Sequence, residues 1–315
     1  MIDALVVARF RAELDTLVRS GEVALAVSGG PDSLALLLLA HAARPGEICA
    51  ATVDHRLRPE AADEAVMVAD ACGDLDIPHA ILAVDVAHDP RGAQAAARHA
   101  RYAALAGWAV ARGASALATA HHLDDQAETM LMRLARGAGI AGLSGIRRTR
   151  PLEQAPGVTL VRPLLGWRKA ELEYIVVAAG LTAVDDPSNR DPRFDRTRAR
   201  SLLQGGWPAP ERLAAVAQRL GEAEEALAWS SAVLMAQRLT FTSDNASIDV
   251  AHLPREHRRR LLRAGISALA PDAVLRGDEV DRLLDALDAG RVATLAGLRC
   301  DPGPPWRLAR APPHR

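Results

Sequence analysis

Four short apolar runs mark the first 120 residues, and each ends on polar or glycine-rich residues. Val23-Ala24-Leu25-Ala26-Val27 leads into Ser28-Gly29-Gly30-Pro31-Asp32-Ser33, the run at 48–53 into Asp54-His55, that at 80–84 into Asp85, and that at 116–120 into His121-His122. Runs this short suit buried strands, and helix-forming stretches at 34–40, 61–71 and 94–112 lie between them. The alternation predicts an α/β fold, a parallel doubly wound sheet with helices on both faces, over residues 1–204. In such sheets ligands bind beyond the carboxyl ends of the strands, where these polar clusters fall. Gln204-Gly205-Gly206-Trp207-Pro208-Ala209-Pro210 is rich in breakers and predicts a boundary. Beyond it, helices are predicted at 211–239, 255–269 and 278–289, with short strands at 247–250 and 292–295 and a frayed end from 302. The second domain, 205–315, is therefore expected to be smaller and mostly helical. No internal repeat is present.

Composition narrows the chemistry. Lys169 is the only lysine among 38 basic residues. The residues around it, Gly166-Trp167-Arg168-Lys169-Ala170-Glu171, do not form the Gly-Lys-Ser/Thr phosphate loop. A Schiff-base lysine would have to be this one, at a charged helix start with no apolar pocket to lower its pKa. Cys49, Cys72 and Cys300 are scattered and odd in number, which fits neither a disulfide framework nor a Cys-x-x-Cys site. With no run of about 18 apolar residues and no basic-then-apolar start, a cytoplasmic location away from membranes is expected.

The formal net charge of -1 averages two unlike regions. Residues 1–100 carry 8 basic and 15 acidic side chains, residues 101–200 carry 15 and 10. The arginine-rich stretch reads either as a phosphate-backbone footprint or as a solvated helical surface whose arginines pair with nearby acids. Trp167, Trp207 and Trp229 read as packing residues, with stacking on a base as the alternative for an exposed one. Met67, Met130 and Met132 read as core.

The segment Ser28–Ser33 carries the most chemistry. Two glycines allow positive φ and close backbone approach, and amides at the start of the following helix converge on an anion. Ser28 and Ser33 add hydroxyl donors. The carboxylate of Asp32 would repel phosphate unless a cation bridged them, so Mg2+ held by Asp32 follows naturally. The plainer reading is a tight strand-to-helix turn with a Ser or Asp cap. Asp125 and Glu128, three residues apart, share a helix face and could hold an amine or a metal, or accept a proton. The alternative makes Asp124 an N-cap and Glu128 an exposed carboxylate, yet the residues one turn on are Leu131 and Met132 and offer no partner. His121 and His122 lack a third ligand at metal spacing and are assigned to nucleotide or base positioning.

The loop resembles the PP-motif of ATP pyrophosphatases, which split ATP into AMP and pyrophosphate to adenylate an oxygen. Val53-Asp54-His55-Arg56-Leu57-Arg58, Arg101-Tyr102, His121-His122-Leu123-Asp124-Asp125-Gln126-Ala127-Glu128-Thr129, Arg133-Leu134-Ala135-Arg136-Gly137, Gly142-Leu143-Ser144-Gly145, Arg162-Pro163-Leu164-Leu165 and Asp186-Pro187-Ser188-Asn189 with Phe194 are similar to the tRNA(Ile)-lysidine synthetase family. The likeness is close over residues 20–203 and implies the short form, without an extra C-terminal domain. It implies ATP-dependent ligation of L-lysine to the 2-position of the wobble cytidine of tRNA(Ile) with a CAU anticodon, through an adenylated base.

By the same resemblance Ser28, Gly29, Gly30, Pro31, Asp32, Ser33, Asp54, His55 and His121 bind ATP. Asp32, Arg101, Asp125 and Glu128 bind lysine and carry the chemistry. Arg133, Arg136, Arg196, Arg198 and Arg200 are then weighted toward tRNA, with the 205–315 domain assisting. Thr197 stands where the family usually has Asn. The implied partners are that tRNA, lysine and, left open, a second copy of the chain in a homodimer. The competing readings are a related thiolation enzyme, an amidotransferase-linked synthetase and a non-catalytic nucleotide- or tRNA-binding module.

Overall fold

The structure is a computed structural model and describes residues 2–56, 60–85, 93–184 and 195–311. Leu57, Arg58, Asp186-Pro187-Ser188-Asn189 and Phe194, named above, lie outside those residues. The chain divides into two compact units, Met1–Gly221 and Glu222–Arg315.

The first unit contains α1 (Ala4–Leu17), β1 (Val23–Ala26), α2 (Pro31–Ala43), β2 (Ile48–Asp54), α3 (Glu60–Asp74), β3 (His79–Ala83), α4 (Ala93–Arg112) and β4 (Ala116–Ala118). It continues through α5 (Leu123–Ala135), α6 (Ile140–Leu143), β5 (Thr149–Pro151), β6 (Thr159–Val161), α7 (Lys169–Ala178) and α8 (Asp195–Gln204) into α9 (Pro210–Arg238). Its sheet has the order β3-β2-β1-β4-β6-β5, parallel throughout except for β5. Residues alternate between two cores, as a doubly covered sheet requires. Val23, Leu25, Ile48 and Ala50 pack with Phe10, Leu14 and the apolar α2, whereas Ala24, Cys49 and Ala51 pack with Leu105, Ala106 and Ala109 of α4. Small residues on the second face let α4 lie close. The strand order reverses between β1 and β4, which opens a crevice where the loops at 27–30 and 119–122 leave the sheet.

The expected α/β sheet is present, but the expectation of a mostly helical second domain is corrected. The second unit is built on a five-stranded antiparallel sheet of β7 (Leu239–Phe241), β8 (Asn245–Ile248), β9 (Ala293–Leu295), β10 (Leu298–Asp301) and β11 (Trp306–Arg310), in the order β7-β8-β11-β10-β9. Its core joins Ile248, Leu298, Cys300, Trp306 and Leu308 to α10 (Arg255–Leu269) and α11 (Gly277–Asp288). The segment read as frayed holds the central strand: Trp306-Arg307-Leu308 alternates buried and exposed, a period of two hidden by the prolines on either side. Trp207 and Trp229 are 83% and 73% exposed, against the expectation of packing, while Trp167 is buried with its ring edge-on to Phe10. No helix among the described residues is long and apolar enough to cross a membrane.

Candidate active site

A cavity of about 1250 Å³ opens over the crevice in the first unit. Three segments form its floor: the glycine loop with the first turn of α2, the end of β2 with His55, and Thr119 to His122 with Asp125. Arg98, Arg101 and Tyr102 of α4 and Arg196, Thr197, Arg200, Ser201 and Gln204 of α8 also line it.

The helix begins at Pro31, so Asp32 and Ser33, read from sequence as loop, form its first turn. Proline suits that position because it has no N–H to leave unpaired and its φ is already helical. Gly29 adopts φ +80°, and a Cβ there would lie 3.2 Å from Met67 and Val184. The Gly29 carbonyl accepts from Val184 N–H at 3.0 Å. Ser33 Oγ donates to the Gly30 carbonyl at 2.9 Å and accepts from Ser28 N–H at 3.1 Å, which fixes the loop from within. A Cβ on Gly30 would meet only Ser28 Oγ, 3.9 Å away. The cradle above the amides is open.

α5 starts at His122, with a reciprocal cap: Asp125 N–H donates to His122 Nδ1 at 3.3 Å and His122 N–H to Asp125 Oδ2 at 3.1 Å. Asp124 is not the N-cap of α5. Its carboxylate instead accepts from Lys169 N–H, at 2.8 Å, and caps α7. His122 is 2% exposed, and its Nε2 lies 3.4 Å from Asp32 Oδ2. Burial disfavours the imidazolium, but the hydrogen bond with Asp32 and the charges of Asp125, Asp32 and Asp124 outweigh it and raise the pKa. His121 is pushed the other way, down to about 3, by burial and then by Arg162, Arg98, Arg196 and Arg101. It is a neutral imidazole, with Nδ1 3.0 Å from Thr119 Oγ1.

Asp125 and Glu128 face α8. Arg196 donates to Glu128 at 2.7 Å and Asp125 at 2.6 Å, and Arg200 donates to Glu128 at 2.8 Å. Glu128, 2% exposed, lies behind the cavity wall rather than in it. Its partners, Arg196 and Arg200, stand 68 and 72 residues further along the chain rather than one turn along α5. Two expected arginines are tied within the fold: Arg133 donates to the Gly142 and Gly145 carbonyls at 2.6 and 2.9 Å, and Arg136 pairs with Asp195. Arg198 is exposed. Asp54 accepts from Arg56 N–H at 2.8 Å and is not among the lining residues. His55 lines the cavity with a buried, unbonded Nδ1, and its pKa is lowered by burial and then by Arg101.

Sequence reasoning missed Arg98, Thr52, Glu173 and Lys169 as cavity residues. Arg98 had a readable signal, since it stands three before Arg101 and four before Tyr102 on one helix face. Asp32 Oδ1 is buried and has no hydrogen-bond partner among the described residues. No group of three or more His, Cys, Asp or Glu that could hold a metal occurs among the described residues. The three cysteines are buried, which pushes the thiols of Cys49, Cys72 and Cys300 up to about 12, 11 and 12.

Comparison with known proteins gives a consistent result. The PP-loop domain family model matches residues 6–205. A tRNA(Ile)-lysidine synthase of Novosphingobium aromaticivorans is 47% identical over 309 residues, covering 98% of this chain and 94% of that protein. Another, from Zymomonas mobilis subsp. mobilis, is 42% identical over 298 residues, covering 94% and 90%. Among solved structures, the U34-tRNA thiolase NcsA from Methanococcus maripaludis is similar with a TM-score of 0.56 at 19% identity, covering 69% of this chain and 79% of that one. That likeness is one of fold alone.

Proposed function

The chain belongs to the tRNA(Ile)-lysidine synthases and carries the PP-loop domain, and from that premise we propose how its cavity joins lysine to a base. The enzyme is a ligase that uses ATP to attach L-lysine to position 2 of the wobble cytidine, with tRNA(Ile) as the acceptor. The acceptor carries a CAU anticodon. In the first step the cytosine 2-oxygen bonds to the α-phosphorus of ATP and pyrophosphate leaves. In the second the lysine side-chain amine bonds to C2, AMP leaves with the oxygen, and the amine loses its protons. A carbonyl oxygen leaves readily only once esterified, and an ammonium is no nucleophile until a base takes its proton.

The observation that carries the reading is the convergence of Ser28, Gly30, Asp32, Ser33, His55, Arg101, His121 and Asp125 on one cavity. The glycine-loop amides and Ser28 and Ser33 hold the phosphates, at a helix start whose dipole favours anions. His55 borders the adenosine. Neutral His121 accepts or donates a hydrogen bond at the base without adding charge. Asp32 Oδ1, buried and without a partner among the described residues, would hold a Mg2+ ion, which would neutralise charge on the phosphates. Such an ion would screen the triphosphate from Asp32.

Lysine's ammonium is taken by Asp32 and Asp125, and its carboxylate by Arg101. Asp125 is the contact, because it lines the cavity; Glu128 acts through Arg196 and Arg200, which it holds in place. As the ammonium arrives it displaces Arg196 from Asp125 and frees that guanidinium for a phosphate. Exposed Arg198 and the second unit are assigned to the tRNA. A thiolation reading needs an ionisable sulfur, and the cysteine burial weighs against it.

The test is an incubation with ATP, magnesium, radiolabelled lysine and tRNA(Ile). Label should enter the tRNA with stoichiometric AMP release. AMP release that is the same without tRNA, or tRNA that stays unlabelled, would overturn the reading.

A further inference from the structure

One wall of the cavity is strongly cationic, and among the described residues its arginines have no carboxylate partner. The guanidinium carbons of Arg98, Arg101 and Arg150 lie 5.1, 5.4 and 5.5 Å from the centre of the Tyr102 ring. Arg162, 4% exposed, stands close to them. Burial lowers its pKa, and Arg150 and Arg98 add to this against the pull of the nearby Tyr102 hydroxyl. That hydroxyl is not in hydrogen-bonding geometry with it: Tyr102 Oη, Arg150 Nε and Arg162 Nε are all buried with no partner. Among the described residues no carboxylate pairs with Arg98, Arg101, Arg150 or Arg162. An unpaired buried charge costs several kcal/mol, and buried polar atoms are nearly always bonded. Arg162 Nη1 donates to the Arg147 carbonyl at 2.5 Å, but its Nε, Arg150 Nε and Tyr102 Oη stay without partners among the described residues. With Arg98, Arg101 and Tyr102 lining the cavity and Arg150 and Arg162 behind them, the cluster is organised for an anion from outside.

The reaction brings three anions to this cavity. The triphosphate has the glycine loop and the start of α2. The lysine carboxylate carries one charge, which a single guanidinium fork, that of Arg101, matches. The remaining anion is the RNA backbone. A base inside the cavity brings its own phosphodiester within one nucleotide's length, and Arg98 is exposed and stands at the rim. Resting on the lysidine reading above, we propose that Arg98, Arg150, Arg162 and Tyr102 form a subsite for the phosphodiester next to the target cytidine. Tyr102 donates its free hydroxyl to a phosphate oxygen, and the arginines neutralise the charge.

The experiment measures equilibrium binding of a short anticodon stem-loop RNA to the full chain, without ATP or lysine, across a range of salt concentrations. Arg98→Ala should weaken binding about 10-fold and reduce the slope of log K against log salt by about one. Tyr102→Phe keeps the ring under the arginines, so the fold is preserved. It should weaken binding about 3- to 10-fold, the cost of one charge-assisted hydrogen bond. Unchanged RNA affinity in both variants overturns the subsite. So does a rise in KM for lysine with RNA affinity intact, which would make the cluster a carboxylate site. Failure of the underlying reading looks different: the wild-type chain would then incorporate no lysine, whatever its RNA affinity.

Discussion

Two sets of arginines meet at the same cavity under opposite conditions, with Arg98, Arg101, Arg196 and Arg200 lining it and Arg150 and Arg162 set behind its wall. Arg196 and Arg200 reach in from α8 and are matched by Asp125 and Glu128. Arg98, Arg101, Arg150 and Arg162 surround Tyr102 and find no carboxylate among the described residues. The matched set is preorganised: each guanidinium is already where the fold wants it, and an incoming cation can exchange with it. The unmatched set stores repulsion that only an arriving anion relieves. The difference separates residues that shape the site from residues that wait for a ligand, although all of them are arginines within one stretch of sequence.

The largest expected effect comes from breaking the matched set at its cavity end. Asp125→Asn keeps an oxygen for the His122 cap but removes the charge, and lysine incorporation should fall about 10²- to 10⁴-fold. Incorporation within threefold of wild type would remove Asp125 from the site. The unmatched set is read through His121, whose folded-state pKa lies below its unfolded value. The stability it contributes is present above pH 6.5 and is lost as pH falls toward about 3, at about 1.4 kcal/mol per pH unit. Urea denaturation of wild type and His121→Gln between pH 7 and about 4.5 should show a shallower acid loss in the variant; parallel curves would refute it.

Glu128→Gln strips the charge that two guanidiniums share. Because Arg196 and Arg200 are partly exposed, the loss should be about 2 kcal/mol, below that of a fully buried pair. A thermal melt should show Tm lowered by several degrees, whereas an unshifted Tm would deny Glu128 a holding role. The smallest effect has the opposite sign: Arg150→Met, in the unmatched set, should raise stability by up to about 1 kcal/mol while weakening RNA binding. A destabilised Arg150→Met chain would erase the distinction between the two sets.

The strands of the first sheet were legible because each is a short apolar run closed by polar residues, and the glycine loop because its residues follow such a strand. The pairing Asp125–Arg196 was not, since it depends on α5 and α8 meeting across some 70 residues. Nor was the Tyr102 cluster. Arg101-Tyr102 stood out as a motif, but Arg150 and Arg162 join it only through the β5–β6 hairpin, in which Arg150 stands opposite Leu160. The start of α2 was placed late because Pro31-Asp32-Ser33 reads equally well as a turn. The second unit was misjudged because its strands are three to five residues long, too brief to assert a period against the neighbouring helices.

The scarcity of lysine has a consequence for chemical selectivity. Once adenylated, C2 of the cytosine is an electrophile open to any amine that reaches it. Guanidinium groups remain protonated at every working pH and do not attack carbon. Lining the chamber with them supplies positive charge without supplying rival nucleophiles. The one primary amine of a side chain at the wall, Lys169, has its Nζ 3.4 Å from Glu173, an ion pair that holds it against its own helix. The free amino acid therefore meets little competition from the protein that activates its target.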